Sequence, residues 1–144
     1  MKTLYRPTGL KELELIASTN FKGFPPRLEW QPIFYPVLNE QYAIEIAQKW
    51  NTKDEASGYI GIVTAFDVNE NYLNQFEVQN VGSAHHNELW IPAEELENFN
   101  QQIIGEIRVT KAFLGKQFVF TNNDEINKLI RKHETKHTKL HTTK

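Results

Sequence analysis

Hydrophobic residues in this chain change period near its middle. In the first half Leu10, Leu13, Ile16 and Ala17 recur at helical spacing, so residues 9–18 read as an amphipathic helix. Thr8 is placed to cap it. A short strand over 3–6 precedes it and is ended by Pro7. Residues 20–26, with Gly23 and the pair Pro25 and Pro26, read as a loop. Residues 32–35 form a second short strand, closed by Pro36. Asn39 then caps a second helix, whose apolar stripe is Tyr42, Ala43, Ile46, Ala47 and Trp50. The polar, unpatterned stretch 51–57 is a loop.

From Gly58 onward β-branched and aromatic residues take over. The pattern predicts a long strand over 59–68, then two more over 76–81 and 86–91. Pro92 opens a helix, with Glu94 and Glu95 suiting its positive N-terminal end. Residues 103–113 form another strand, with Gly105 as a bulge or kink, and 116–120 a further one. The last helix begins at Asp124, with Ile126, Leu129 and Ile130 as its apolar face. Beyond about Lys132 that face is lost, and the tail reads as frayed. Helices early and strands late make an α+β class rather than βαβ alternation. No internal repeat or linker divides the chain. The expected organisation is one domain over 1–120, followed by a C-terminal helix and basic tail over 121–144.

Composition changes this picture in three ways. The 144 residues include no cysteine, which excludes disulfide scaffolds, thiolate catalysis, zinc fingers and iron–sulfur clusters. No apolar run approaches the ~20 residues of a membrane span. The N-terminal stretch has no apolar signal core, and the expected location is the cytoplasm. The net charge of -2 is uneven: residues 128–144 carry +5, leaving -7 on the 127 before them. An acidic body is a poor surface for phosphate backbones, so only the basic tail has the sign for RNA, DNA or an anionic surface.

Several motifs are missing. There is no glycine-rich phosphate loop, no His-Glu-x-x-His and no Gly-x-Ser-x-Gly. The three serines, Ser18, Ser57 and Ser83, stand in no nucleophile setting.

Four candidates remain. In His86-Asn-Glu-Leu-Trp-Ile91, strand alternation turns Leu89 and Ile91 to the core and His86, Glu88 and Trp90 to the other face. A carboxylate held beside an aromatic on a strand suits a site, and a solvated strand face reads the same way. Arg6 offers a planar fork to a carboxylate or phosphate, or forms a surface ion pair. Tyr35 offers a flat stacking surface, or simply packs. His133, His137 and His141 share one helical stripe with metal-pair spacing, but no carboxylate is placed as third ligand. His85 and His86 fall on opposite faces of a strand, a poorer arrangement still.

The order of these pieces resembles the ADP-ribosyltransferase superfamily. Its enzymes carry a basic or imidazole residue on the first strand, an aromatic or Ser/Thr on a middle strand and a Glu on a later one. More closely, the chain is similar to short bacterial proteins labelled "ADP-ribosylation/crystallin-J-like". The stretches that carry the likeness are Leu4-Tyr-Arg-Pro7, Phe24-Pro-Pro-Arg27, Pro32-Ile-Phe-Tyr-Pro-Val-Leu-Asn39, Trp50-Asn51, Phe76-Glu-Val-Gln79 and Glu88-Leu-Trp-Ile-Pro-Ala-Glu-Glu-Leu96. They fall within residues 3–113. The crystallin-J half of that label points to glycohydrolases that are larger, all-helical and magnesium-dependent. This chain is too short and strand-rich for them, so the transferase half is adopted.

The resemblance implies two N-terminal helices packed on a split antiparallel sheet, and NAD as substrate with no metal. It gives Glu88 the catalytic role of stabilising an oxocarbenium-like transition state and holding the ribose 2′-hydroxyl. Arg6 would bind NAD through a phosphate or ribose oxygen. Tyr35 would stack on nicotinamide, and Tyr42 would line the same pocket. The acceptor of ADP-ribose would be a protein or nucleic acid. Arginine-modifying members carry a second Glu two positions earlier; here His86 stands there, which argues against arginine as acceptor. Tyr35 stands in place of the Ser-Thr-Ser middle motif. The other expectation is a non-catalytic interaction module, for which three Trp and five Tyr supply contact material.

Overall fold

A computed structural model describes residues 1–136. Its frame is an antiparallel sheet in the order β1-β3-β7: β1 (Lys2–Thr8), β3 (Ile60–Val68) and β7 (Ile103–Leu114). The central β3 is buried along nearly its whole length, because both of its faces are covered. Its even-numbered residues Ile60, Ile62, Phe66 and Val68 point to one side, and Gly61 and Val63 to the other.

The even side carries most of the core. Ile60 and Ile62 join Leu13 of α1 (Leu10–Ser18) and Ile126 and Ile130 of α5 (Asp124–His133). Phe66 and Val68 join Leu4, Phe24, Phe34, Phe99 of α4 (Leu96–Gln101) and Leu73 of α3 (Glu70–Leu73). On the odd side lies α2 (Glu40–Lys49), presenting Ala43 and Ala47 to Val63 and Phe113. The approach is close enough to require glycine on β3: a Cβ at Gly61 would sit 2.3 Å from the Ala47 carbonyl oxygen.

A flank of short pieces adjoins β1. Here β2 (Ile33–Phe34) pairs with β6 (Ile91–Pro92), and β4 (Val78–Asn80) with β5 (Asn87–Leu89), both antiparallel. In backbone pairing, Val37 ties flank to frame. It bridges Tyr5 of β1 on one side and Glu88 of β5 on the other. The α+β class is therefore present, with five α-helices and several small antiparallel sheets among the described residues.

Some boundaries differ from expectation for identifiable reasons. β1 runs through Pro7 instead of stopping there. Tyr5 bonds to Val37 on the outer edge, so Pro7, two residues on, also turns its nitrogen outward and costs no ladder bond. Thr8 ends that strand and does not cap α1; Gly9 takes the cap position without a side-chain bond. Asn39 caps α2 as expected, its side chain accepting from the Tyr42 amide at 2.8 Å. Trp50, assigned to the buried stripe of α2, is 70% exposed, because the chain leaves α2 in a 3-10 turn over 51–53. Pro92 closes β6, and a 3-10 turn over 93–95 precedes α4. Residues 116–120 form no strand; Phe118 and Phe120 pack edge-to-face on each other against the α5 cluster. Gly105, at φ +76°, marks an irregular register between β3 and β7.

Candidate functional site

Glu88 sits where flank and frame meet, in mid-β5, opposite Gln79 of β4 and bridged through Val37 to β1. The pattern placed it on a strand face turned from the core, and Leu89 and Ile91 are indeed buried. Yet Glu88 itself is only 8% exposed. Two donors hold its carboxylate: the Tyr42 hydroxyl reaches Oε1 at 3.0 Å and the Trp90 indole reaches Oε2 at 2.8 Å. A buried carboxylate oxygen needs such partners, and each bond is charge-assisted.

Beside Glu88 opens a pocket of about 390 Å³. Its lining includes Arg6, Arg27, Tyr35, Val37, Asn51 and Glu88. Three of the four expected site residues are thus brought together from β1, the segment after β2, and β5. The fourth, Tyr42, is not among the lining residues and meets the site through its bond to Glu88. Burial, then that bond and the Glu88 charge, push the Tyr42 hydroxyl up to about 12. Tyr42 is therefore a fixed donor across neutral pH.

Arg6 does not stand free. Its Nε and Nη2 donate to Glu12 at 2.6 and 3.0 Å, and the guanidinium lies 4.7 Å from the centre of the Phe34 ring. The ion pair and the aromatic face fix the guanidinium plane. Tyr35 is 40% exposed and meets Trp90, 44% exposed, edge-to-face at 6.4 Å. These two rings form a half-open aromatic rim next to the carboxylate.

Two residues of the site were not singled out from sequence. Arg27 donates from Nε to the Ile33 carbonyl at 3.0 Å, its one hydrogen bond among the described residues. Burial, then the neighbouring Arg6 charge, lower its pKa, against the pull of Glu12 and Tyr35. A cation destabilised in this way favours an anionic ligand. Asn51 carries the one buried side-chain polar atom, Oδ1, that lacks a partner among the described residues. Both residues also line an adjoining pocket of about 490 Å³, together with Arg6, Lys11, Glu12 and Gln31. The only advance signal was position: both occur in stretches that carry the resemblance, Phe24-Pro-Pro-Arg27 and Trp50-Asn51.

The histidines fall differently from expectation. His85 and His86 are not on opposite faces of a strand. They lie in a turn before β5, and both rings reach Glu45 of α2. His86 also stacks on Tyr42, with ring centres 4.5 Å apart and planes 21° from parallel. His133 ends α5 and contacts the Leu129 carbonyl through Nδ1; His137 and His141 lie outside the described residues. Among the described residues no helix is long and apolar enough to cross a membrane. Comparisons with protein-family models, curated proteins and solved structures find no match to this chain.

Proposed function

We propose that this protein binds NAD in the pocket beside Glu88 and breaks its nicotinamide–ribose bond, on a sheet arranged like that of ADP-ribosyltransferases. The observation that carries the reading is the convergence of Glu88, Arg6 and Tyr35 on one pocket, from three separate segments of the chain. These are three residues that the resemblance assigns to the reaction.

The chemistry follows from the donors present. As the glycosidic bond lengthens, nicotinamide leaves with the bonding pair and positive charge grows on the ribose. The Glu88 carboxylate, fixed by Tyr42 and Trp90, is oriented to stabilise that charge without moving. A water or acceptor nucleophile then bonds to the anomeric carbon and loses its proton to solvent. Tyr35 and Trp90 provide aromatic surface for the flat nicotinamide ring. Arg6 and Arg27, both in the walls of the two adjoining pockets, suit the pyrophosphate. Asn51 lines both pockets and adds a polar side chain to the wall that a ribose would meet.

Nicotinamide release from NAD tests the reading. Glu88→Gln is expected to lower turnover by ~100-fold or more, about 2.7 kcal/mol of transition-state stabilisation, with NAD affinity nearly unchanged. Equal turnover in both proteins would remove Glu88 from the mechanism. A second reading, a non-catalytic interaction module, is favoured by one observation: Trp30 and Trp50 are 76% and 70% exposed. NAD raises the melting temperature on the first reading and leaves it unmoved on the second.

A further inference from the structure

His85 and His86 are consecutive, and consecutive side chains ordinarily diverge. Here the turn before β5 bends so that both rings face one carboxylate. Glu45 meets His85 Nε2 through Oε2 at 2.5 Å and His86 Nε2 through Oε1 at 2.9 Å. The two imidazole centres are 4.4 Å apart. One donor atom from each of the three residues lies within 4.8 Å of the others, the one such group among the described residues.

The backbone holds this arrangement from outside. The Asn39 side chain donates to the His85 carbonyl at 2.6 Å, tying the turn to the N-terminus of α2. The His86 amide donates to Ser83 at 2.9 Å, and the Val81 amide to the His86 carbonyl at 3.0 Å. Gly82 lies so close that a Cβ there would be 2.9 Å from His86 Nδ1. Tyr42 covers the other part of that ring by stacking. The side chains are partly shielded, at 33%, 25% and 13% exposure for His85, His86 and Glu45.

We propose that Glu45, His85 and His86 form a binding site for a divalent transition metal, with zinc as the fitting ion. Two imidazoles and one carboxylate are a common zinc donor set, leaving the fourth tetrahedral position to water. Imidazole ligands select zinc, copper or nickel over magnesium and calcium, which prefer oxygen. With ligands ~2.0–2.1 Å from the ion, neighbouring donor atoms in a tetrahedron stand about 3.3 Å apart. The two present contacts use different carboxylate oxygens, so on metal binding one oxygen turns to face both imidazoles and the three donor atoms, now within 4.8 Å of one another, draw together around the ion. Without metal, each Nε2 is spaced to share a hydrogen with Glu45. With metal on Nε2, the imidazole proton resides on Nδ1, and His86 gives up its 3.3 Å contact from the Ser83 amide. That contact is long, so the loss is small beside two metal–nitrogen bonds. The site is independent of the NAD reading.

The experiment is calorimetric titration of Zn²⁺ into the full chain at pH 7.5, with Mg²⁺ as control. One equivalent of Zn²⁺ is expected to bind and Mg²⁺ not to. A hundredfold excess over Kd raises the melting temperature by roughly 5–10 °C. His85→Ala, His86→Ala and Glu45→Gln, each checked as folded by circular dichroism, weaken binding by about 100-fold or more. Because the three variants remove different ligands, any one that folds suffices. A protein with His133, His137 and His141 all replaced by Ala keeps the binding. Absence of zinc binding in the wild type overturns the proposal, and leaves the trio an imidazole–carboxylate clamp. So does binding that survives the three site variants and disappears with the C-terminal histidines.

Discussion

On one side of Val37, β3 runs nine residues with apolar layers on both faces, and its neighbours are paired along most of its length. On the other side, β5 is three residues long and its partner β4 also three. The frame is ordered by burial: Leu4, Ile16, Phe66 and Phe99 are fully enclosed and fit whatever turns connect them. The flank buries Phe34, Leu89 and Ile91 in the same core and adds a second kind of order, directed bonds from Asn39, Tyr42, Glu45 and Trp90. A site needs side chains at set angles, which hydrogen bonds impose and hydrophobic contact does not. The Glu88 carboxylate therefore lies where the second kind of order begins.

Substitutions that act on one side alone sharpen this contrast. The largest effect is expected from Phe66→Ala, which removes a ring in contact with Phe24 and Phe99. It should cost about 3–5 kcal/mol in denaturant unfolding. A cost below 1 kcal/mol would mean that the frame does not depend on this cluster. Asn39→Ala removes both the cap of α2 and the tie to the His85 carbonyl. About 1–2 kcal/mol of stability should be lost, and any NAD turnover should fall more than stability alone explains. Loss of stability with turnover per folded molecule intact would separate the turn from the site.

A smaller effect belongs to Asp67, which bonds to Thr3 at 2.6 Å and to Arg108 at 3.0 Å, across all three strands of the frame. The Thr3 bond, then the Arg108 bond, lower its pKa below the ordinary 3.8. Its contribution is therefore present above about pH 4 and is lost as pH falls through the folded-state value. Asp67→Asn should flatten the acid limb of the stability profile, with less than about 1 kcal/mol lost at pH 7. An unchanged acid limb would show that other carboxylates set it. The smallest effect is expected from Trp50→Ala, within about 0.5 kcal/mol, since the ring is mostly in solvent. A large loss there would restore it to the buried stripe of α2.

The elements most legible in the sequence were those whose pattern reports burial. Leu13 and Ile16 announce α1, and the β-branched and aromatic residues of 59–68 announce the long strand β3. Asn39 was readable as a cap because capping is local chemistry. What could not be read is what depends on partners distant in sequence. Trp50 fits the stripe of α2, but the helix ends before its ring can turn inward. Pro7 looks like a terminator until one knows that its nitrogen faces the outer edge of β1. The site shows the same division. Glu88, Arg6 and Tyr35 were found through their order along the chain. Arg27 and Asn51 are not legible, because only folding carries them to the same wall; His85 and His86 read as diverging, because the pattern predicts a strand where the chain makes a turn.

The bulged strand β7 has a consequence for how molecules of this protein meet at high concentration. β7 is the last strand of the frame, and a regular outer edge would present a ladder of amides and carbonyls to a second chain. Its pairing with β3 shifts twice, so no more than four consecutive residues, 111–114, keep one register. Gly105 supplies a left-handed kink inside the strand. Two outside segments then occupy polar groups of the edge. The Phe21 carbonyl accepts from the Ile107 amide at 2.8 Å, and the Thr135 amide donates to Ala112 at 2.8 Å. The chain thus guards its own margin against strand-on-strand aggregation by interruption and cover, beside the charged Glu106, Arg108 and Lys111 of the same strand.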